Sequence, residues 1–79
     1  MTVVFVLINS AIGAENNVLT ALQEIDAVVE TYIVYGVYDI IAKVRGPSMD
    51  EIRTIVHGEI RKIPEVRNTL TMVVVEDIS

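Results

Sequence analysis

The sequence is short of several residue types, and each shortage excludes a class of site. It has no cysteine, so disulfides, thiolate metal sites and redox pairs are excluded. It has a single histidine, His57, whereas an ordinary zinc site needs several histidine or cysteine ligands. With 6 basic against 11 acidic residues the net charge is −5, and a surface of that sign repels nucleic acid and anionic membranes.

Long apolar runs and targeting signals are also missing. The charge-free opening, residues 1–14, is shorter than the roughly 20 residues that a transmembrane helix needs. A secretory signal carries basic residues ahead of its apolar stretch, whereas the first basic residue here is Lys43. We therefore expect a cytoplasmic protein without a membrane partner.

Apolar side chains, in contrast, are in excess. The 79 residues are enough for one domain, 1–79, and no linker divides them. Of these residues 52% are apolar and the mean hydropathy is +0.52, which is high for so small a soluble domain. Because a chain of this size buries only about 60% of its unfolded surface, we expect part of the apolar surface to lie between subunits.

Hydrophobic periodicity divides the chain into six elements. Runs of β-branched and aromatic residues indicate strands, and apolar stripes at helical spacing indicate two helices. Ser48 followed by Glu51 is a capping box that begins the second helix, and Pro64 ends that helix. The predicted elements are, in order, a strand at Val3–Ile8, a helix from Glu15 to Ile25, a strand at Val28–Tyr35, a strand at Ile40–Arg45, a helix from Met49 to Ile63 and a strand at Val66–Val75.

A weak internal repeat organises these elements. The residues Ile25, Val28 and Thr31 recur 38 positions later as Ile63, Val66 and Thr69. Two βαβ halves at this spacing predict the ferredoxin-like fold, an α+β domain of order βαββαβ. In that fold two helices cover one face of a four-stranded antiparallel sheet.

The other face of the sheet is predicted to be apolar. We expect Val4, Val6, Ile40, Ala42 and Val44 to face the helices. The outward residues are then Val3, Phe5, Leu7, Thr31, Ile33, Tyr35, Thr69, Thr71, Val73 and Val75. An exposed face of this kind exceeds what monomers tolerate. We therefore predict a homodimer that buries on the order of 800 Å² per partner between its sheets, with an interface formed by Val3, Phe5, Leu7, Ile33, Tyr35 and Val73.

Few side chains are placed for catalysis. His57 falls on the polar side of the second helix, where a solvent-exposed structural role is the ordinary one. No serine has a base at a recognisable spacing, and no Gly-rich phosphate loop is present. RNA-binding domains of this topology carry stacking aromatics and basic residues on the central strands, but Phe5 is the only aromatic on the first strand. We expect no enzyme, no cofactor, no metal site and no RNA partner.

The segment from Tyr35 to Asp39 has the groups that a free amino acid requires. As structure alone, Gly36 supplies a positive φ in a hairpin, Tyr38 packs and Asp39 caps the turn. As a site, the Asp39 carboxylate accepts an ammonium, backbone N–H groups hold a carboxylate and Tyr38 forms an apolar wall. Thr69 and Thr71, on one face of the fourth strand, add hydroxyls. The residues by themselves leave both interpretations open.

The order and spacing of these motifs resemble the effector domain of the Lrp/AsnC family of transcription regulators, often called the RAM domain. The family pattern is a strand ending in Gly-x-Tyr/x-Asp, a helix, and a Pro-x-Val-x-x-Thr-x-Thr strand. The residues that carry the resemblance are Val28, the run Tyr35–Val44 and the run Ile63–Thr71, and the likeness covers roughly Val3 to Glu76. The resemblance implies a ferredoxin-like domain that dimerises through its sheets, with dimers joining into larger rings.

The resemblance also implies a ligand. Amino-acid effectors in the family bind at subunit contacts near the glycine–aspartate hairpin. By that match Gly36, Tyr38 and Asp39 line the pocket, and Thr69 and Thr71 lie either beside the ligand or in the subunit interface. Family regulators carry a helix-turn-helix ahead of this domain, and this sequence has none. We therefore expect a stand-alone module that does not bind DNA, and that either binds amino acids as a free oligomer or joins a full-length Lrp/AsnC regulator.

Two other functions remain open from the sequence. One is a structural adaptor oligomer without a small ligand. The other is a small enzyme of the dimeric α+β-barrel type, since one topology supports many functions. Such an enzyme places a polar side chain inside the cleft between its sheets, and His57 on an outer helix does not meet that requirement.

Overall fold

The predicted order of elements is present in the computed structural model, which describes residues 1–75. The strands are β1 (Thr2–Ser10), β2 (Val28–Ile33), β3 (Ile40–Gly46) and β4 (Val66–Val73), and the helices are α1 (Glu15–Gln23) and α2 (Met49–Ile55). Helix α2 continues directly into a π-helical segment, Val56–Ile60. The order βαββαβ is therefore confirmed, and β2 and β4 each end two residues earlier than predicted.

The four strands form one sheet in the order β2-β3-β1-β4, and every neighbouring pair is antiparallel. The two central strands, β1 and β3, belong to different halves of the repeat, and β2 and β4 are the edges. This arrangement confirms the ferredoxin-like α+β fold.

The core lies between the helices and one face of the sheet. Alternate residues of β1 and β3 point into it, as the strand period of two requires, and the predicted inward set is confirmed. The buried apolar residues that form this core are Val4, Val6, Ile8, Val18, Leu22, Ile40, Ala42, Val44, Ile52, Val56, Ile60 and Ile63.

The second helix begins as predicted and then widens. Ser48 Oγ accepts a hydrogen bond from the Glu51 N–H at 3.3 Å, which satisfies one of the free donors of the first turn. From Val56 the turn is π-helical, and the Arg61 N–H donates to the Val56 carbonyl at 2.9 Å. Ile52, Val56 and Ile60 are spaced by four residues, and in a regular α-helix each such step turns the side chain about 40° around the axis. The wider π-helical turn offsets this rotation and keeps all three in the core. The predicted second helix is therefore α-helical to Ile55 and π-helical from Val56 to Ile60, and Ile60 stays buried as the predicted stripe requires.

The face prediction for the two edge strands is wrong. Residues directly opposite each other in an antiparallel pair share a face. On β2, Thr31 lies opposite Ala42 and Ile33 opposite Ile40, which places both on the helix side. On β4 the pairs Thr69–Ile8, Thr71–Val6 and Val73–Val4 place all three β4 residues on the helix side.

Two β-bulges cause this reversal. The register of β2 against β3 shifts between Val28 and Glu30. The register of β4 against β1 shifts between Val66, which pairs with Ser10, and Asn68, which pairs with Asn9. Each bulge inserts one extra residue, so every side chain beyond it moves to the opposite face. The bulges occupy equivalent positions of the two halves. The 38-residue repeat therefore assigned the wrong face to both edge strands.

The face of the sheet away from the helices, here called the open face, is apolar as predicted but with different edge residues. Its centre holds Val3, Phe5, Leu7 and Ile41, all half-buried, and Tyr32, Leu70 and Met72, all exposed. Polar pairs bound it: Asn9 Nδ2 donates to Asn68 Oδ1 at 3.1 Å, and Lys43 Nζ lies 3.8 Å from Glu30 Oε1. Part of the exposed apolar surface is therefore on this face, and another part is on loop residues such as Ile12, Tyr35 and Val37.

Candidate ligand-binding site

The loop between β2 and β3, residues 34–39, is fastened at its ends and open at its tip. The Val34 N–H donates to the Asp39 carbonyl at 2.8 Å, which closes the loop. The Asp39 N–H donates to the Ile8 carbonyl at 3.0 Å, which ties the loop to β1. At the tip, Tyr35 and Val37 are exposed by 107% and 86%. Two large apolar side chains are thus left without cover in the single chain.

Asp39 has a structural role other than the turn cap considered from the sequence. Its Oδ2 accepts a hydrogen bond from the Ser10 N–H at 3.0 Å, in a half-buried position. This bond holds the end of β1 against the loop. A carboxylate has about four lone-pair positions, so one such bond leaves room for an ammonium.

Gly36 and Tyr38 lie in the same loop as Asp39. Gly36 has the expected positive φ, 158°, and apart from its two chain neighbours no residue lies within 4 Å of the position a Cβ would take. Tyr38 is half-buried. The structure therefore brings Gly36, Tyr38 and Asp39 together around one exposed loop.

The two threonines of the predicted ligand set lie elsewhere. Thr69 is opposite Ile8 on the far side of β1, two strands from the loop, and neighbouring strands are about 4.8 Å apart. Thr71 is opposite Val6, further along β4 and away from the loop. Within one chain the predicted set is therefore split into a loop group and a β4 group.

Thr71 instead borders a groove that the sequence did not reveal. The groove, here called the α2–β4 groove, has a volume of about 250 Å³. It is lined by Met49, Ile52, Arg53, Val56, His57, Thr71 and Val73. The one signal in the sequence was the spacing of Arg53 and His57, which places both on one face of the helix.

Two further ionisable side chains, Tyr32 and His57, are exposed and paired. Tyr32 Oη donates to Glu30 Oε1 at 3.1 Å, and this hydrogen bond together with the nearby negative charge raises the pKa of Tyr32 above its ordinary value of 10.0. His57 is exposed, as predicted, and its Nδ1 lies 3.0 Å from Arg61 Nη1.

Within residues 1–75 no group of three or more His, Asp or Glu side chains could hold a metal ion. No helix among these residues is long and apolar enough to cross a membrane.

Comparison with known proteins agrees with this architecture. The family model of the Lrp/AsnC ligand binding domain matches residues 3–79, nearly the whole chain. The chain belongs to this family. The resemblance seen in the hairpin and β4 motifs is thus confirmed.

The proteins that this chain is similar to include both short and long chains. Leucine-responsive regulatory protein of Escherichia coli (strain K12) is 32% identical over 59 residues, which are 75% of this chain and 36% of that protein. The structure of E. coli AsnC is 27% identical, with a TM-score of 0.92 over 96% of this chain and 52% of that chain. A hypothetical protein from Pyrococcus horikoshii is 35% identical, with a TM-score of 0.90 over 98% of this chain and 93% of that chain. The chain spans about a third of the length of the curated relatives it matches.

Proposed function

We propose that this chain is an amino-acid-binding regulatory module that acts as an oligomer. The observation that carries the proposal is the match to the Lrp/AsnC ligand binding domain along residues 3–79. The resemblance of the hairpin motif implies a ligand near Asp39. The name of the leucine-responsive relative supports an amino acid with an aliphatic side chain.

The loop provides complementary groups for a free amino acid. The ammonium would pair with the Asp39 carboxylate, whose Oδ2 already accepts the Ser10 N–H. Charge-assisted hydrogen bonds of this kind are roughly twice as strong as neutral ones. Backbone N–H groups near Gly36 would hold the carboxylate, because nothing blocks approach to that residue. Tyr38 would contact the side chain.

A second subunit would complete this pocket. Tyr35 and Val37 are exposed at the tip of the loop, and apolar side chains so placed become buried in a subunit contact. In the same chain Thr69 and Thr71 lie on β4, on the other side of β1 from the loop that carries Asp39. We therefore assign them to the ligand only through a neighbouring subunit.

The open face is the proposed dimer interface. It keeps Val3, Phe5 and Leu7 from the predicted set and gains Ile41, Tyr32, Leu70 and Met72. Ile33 and Val73 lie on the helix side, and Tyr35 lies beyond the end of β2, so these three leave the proposed interface. Two such faces would bury on the order of 800 Å² per partner, the size of a standard specific interface.

The net charge of the chain bears on its proposed partners. A net charge of −5 opposes direct binding of DNA by this domain. Dimers would join into larger rings, alone or with a full-length Lrp/AsnC regulator, in the cytoplasm. Electrophoretic mobility shift with duplex DNA should show no complex at physiological salt.

A thermal-shift screen of the twenty amino acids tests the ligand. A ligand at a hundredfold excess over its Kd raises the free energy of unfolding by about 2.7 kcal/mol. Asp39→Asn keeps an oxygen that can accept the Ser10 N–H but loses the charge, so it should abolish the shift and keep the fold. Asp26→Asn, at an exposed turn residue, removes the same charge and should leave the shift intact.

If none of the twenty amino acids changes the melting temperature, the sensing function is wrong. The structural adaptor is then the better description of this oligomer. An equal response in both variants would show that amino acids bind away from the loop.

A further inference from the structure

The α2–β4 groove has an apolar floor and a rim of hydrogen-bond donors. The floor is made of Ile52 and Val56, both buried, with Met49 and Val73 beside them. The rim carries Arg53, His57 and Thr71. At about 250 Å³ the groove is smaller than the roughly 300–1,000 Å³ of sites for drug-sized ligands. It therefore suits a metabolite of a few carbon atoms.

The pairing of His57 with Arg61 fixes what the imidazole offers. A guanidinium is always charged and only donates hydrogen bonds. Since Arg61 Nη1 lies 3.0 Å from His57 Nδ1, that nitrogen is the acceptor. The ring proton is then on Nε2, and this N–H is available as a donor.

Arg53 is only lightly engaged. Its Nη1 donates to Asp50 Oδ1 at 3.2 Å, and the two side chains are 61% and 93% exposed. Exposed pairs of this type contribute about 0–1 kcal/mol. A guanidinium has five N–H donors, so Arg53 can bind a second carboxylate while it keeps Asp50.

No lining residue of the groove is acidic within the part of the chain that is described. Asp50 lies beside the rim but does not line the groove, and its Oδ1 already accepts a hydrogen bond from Arg53 at 3.2 Å, so the lining itself offers no carboxylate for the ammonium of an amino acid. The favoured ligand instead carries only acceptor oxygens at one end and an aliphatic group at the other. An α-keto acid, the deaminated counterpart of an amino acid, has this composition.

We propose that the α2–β4 groove binds short branched α-keto acids, with the carboxylate on Arg53, the keto oxygen on His57 Nε2–H or the Thr71 hydroxyl, and the alkyl group on Ile52 and Val56. Within one chain this site is separate from the loop at Gly36–Asp39. Val73, at one end of the groove, pairs with Val4, whereas the loop is tied to Ile8 at the other end of β1. The proposal does not depend on amino-acid binding at the loop.

Amide chemical-shift mapping by NMR on the full chain tests the proposal. The probes are α-ketoisovalerate, L-valine and the methyl ester of α-ketoisovalerate, which lacks the negative charge. The keto acid should shift amides of residues 52–57 and 71–73, and the ester should bind at least tenfold more weakly. L-Valine should leave the groove amides unchanged.

Matched variants distinguish a built site from a general attraction to positive charge. Arg53→Gln should weaken the binding of α-ketoisovalerate at least tenfold. Thr71→Val should weaken it at least threefold. Arg67→Gln removes the same charge from an exposed residue outside the groove and should leave the Kd unchanged.

Three outcomes overturn the proposal. The first is no shift of groove amides at millimolar keto acid, and the second is a shift confined to residues 34–39. The third is equal weakening by Arg53→Gln and Arg67→Gln. None of them bears on the amino-acid response, which Asp39→Asn tests separately.

Discussion

Leu70 and Val73 provide a direct test of which sheet face meets a second subunit. Both lie on β4 and are exposed to nearly the same extent, 46% and 47%. The register places Leu70 opposite Leu7 on the open face and Val73 opposite Val4 on the helix side. The pair therefore differs chiefly in the face that each side chain occupies.

The expected effect of Leu70→Asp can be worked out from burial. Complete burial of a leucine side chain contributes about 1.5–3 kcal/mol. Leu70 is already half covered in its own chain, so a partner adds about half of that, about 1 kcal/mol. A two-fold interface contains the residue twice, so loss of its apolar contact alone weakens the dimer about 30-fold. An unpaired carboxylate in the same place adds its own cost of desolvation, and the dimer Kd should rise about 1,000-fold.

Sedimentation velocity over a concentration series measures this change. Leu70→Asp should sediment as a monomer at concentrations where the parent chain is a dimer, with an unchanged circular dichroism spectrum. Val73→Asp should keep the dimer Kd within about threefold of the parent value, as is usual for surface changes. The opposite pattern would refute the strand register, and a parent chain that is monomeric at high micromolar concentration would refute the sheet-face dimer.

Two further predictions concern single hydrogen bonds at the surface. Ser48→Ala removes the acceptor of the Glu51 N–H and should lower the free energy of unfolding by about 1 kcal/mol in urea denaturation; no change would show that the 3.3 Å bond contributes nothing in solution. Because the bond to Glu30 raises the pKa of Tyr32, the stabilisation it provides is complete below the ordinary value of 10.0 and is lost as the pH rises through the folded-state pKa. An NMR titration of the Tyr32 ring should show this raised pKa, and Glu30→Gln should bring it back toward 10.0; an unshifted titration in the parent chain would contradict the hydrogen bond.

Much of the fold could be predicted because apolar periodicity records which residues enter the core. The central strands follow a regular repeat of two, so Val4, Ile40 and Val44 could be assigned to the core from the sequence. Ser48 was identified as a cap because its role depends on a residue only three positions away. Each of these signals is local in the chain.

The candidate site was predictable only in part. Gly36, Tyr38 and Asp39 are neighbours in sequence, so their meeting in one loop needed no tertiary information. The hydrogen bond from the Ser10 N–H to Asp39 joins residues 29 positions apart in the sequence, and no local sequence pattern predicts it. The α2–β4 groove likewise depends on how far α2 stands from the edge strand.

The sequence by itself determined the order of elements, the central core and the family, because these depend on residue type and on short, regular spacing. The tertiary structure decided which face the edge strands present, because one extra residue at each bulge, near Val28 and near Val66, reverses every side chain that follows. It also separated Thr69 and Thr71 from Asp39, since β1 lies between their strand and the loop. A single inserted residue leaves composition and periodicity almost unchanged, and only the pairing of strands reveals it.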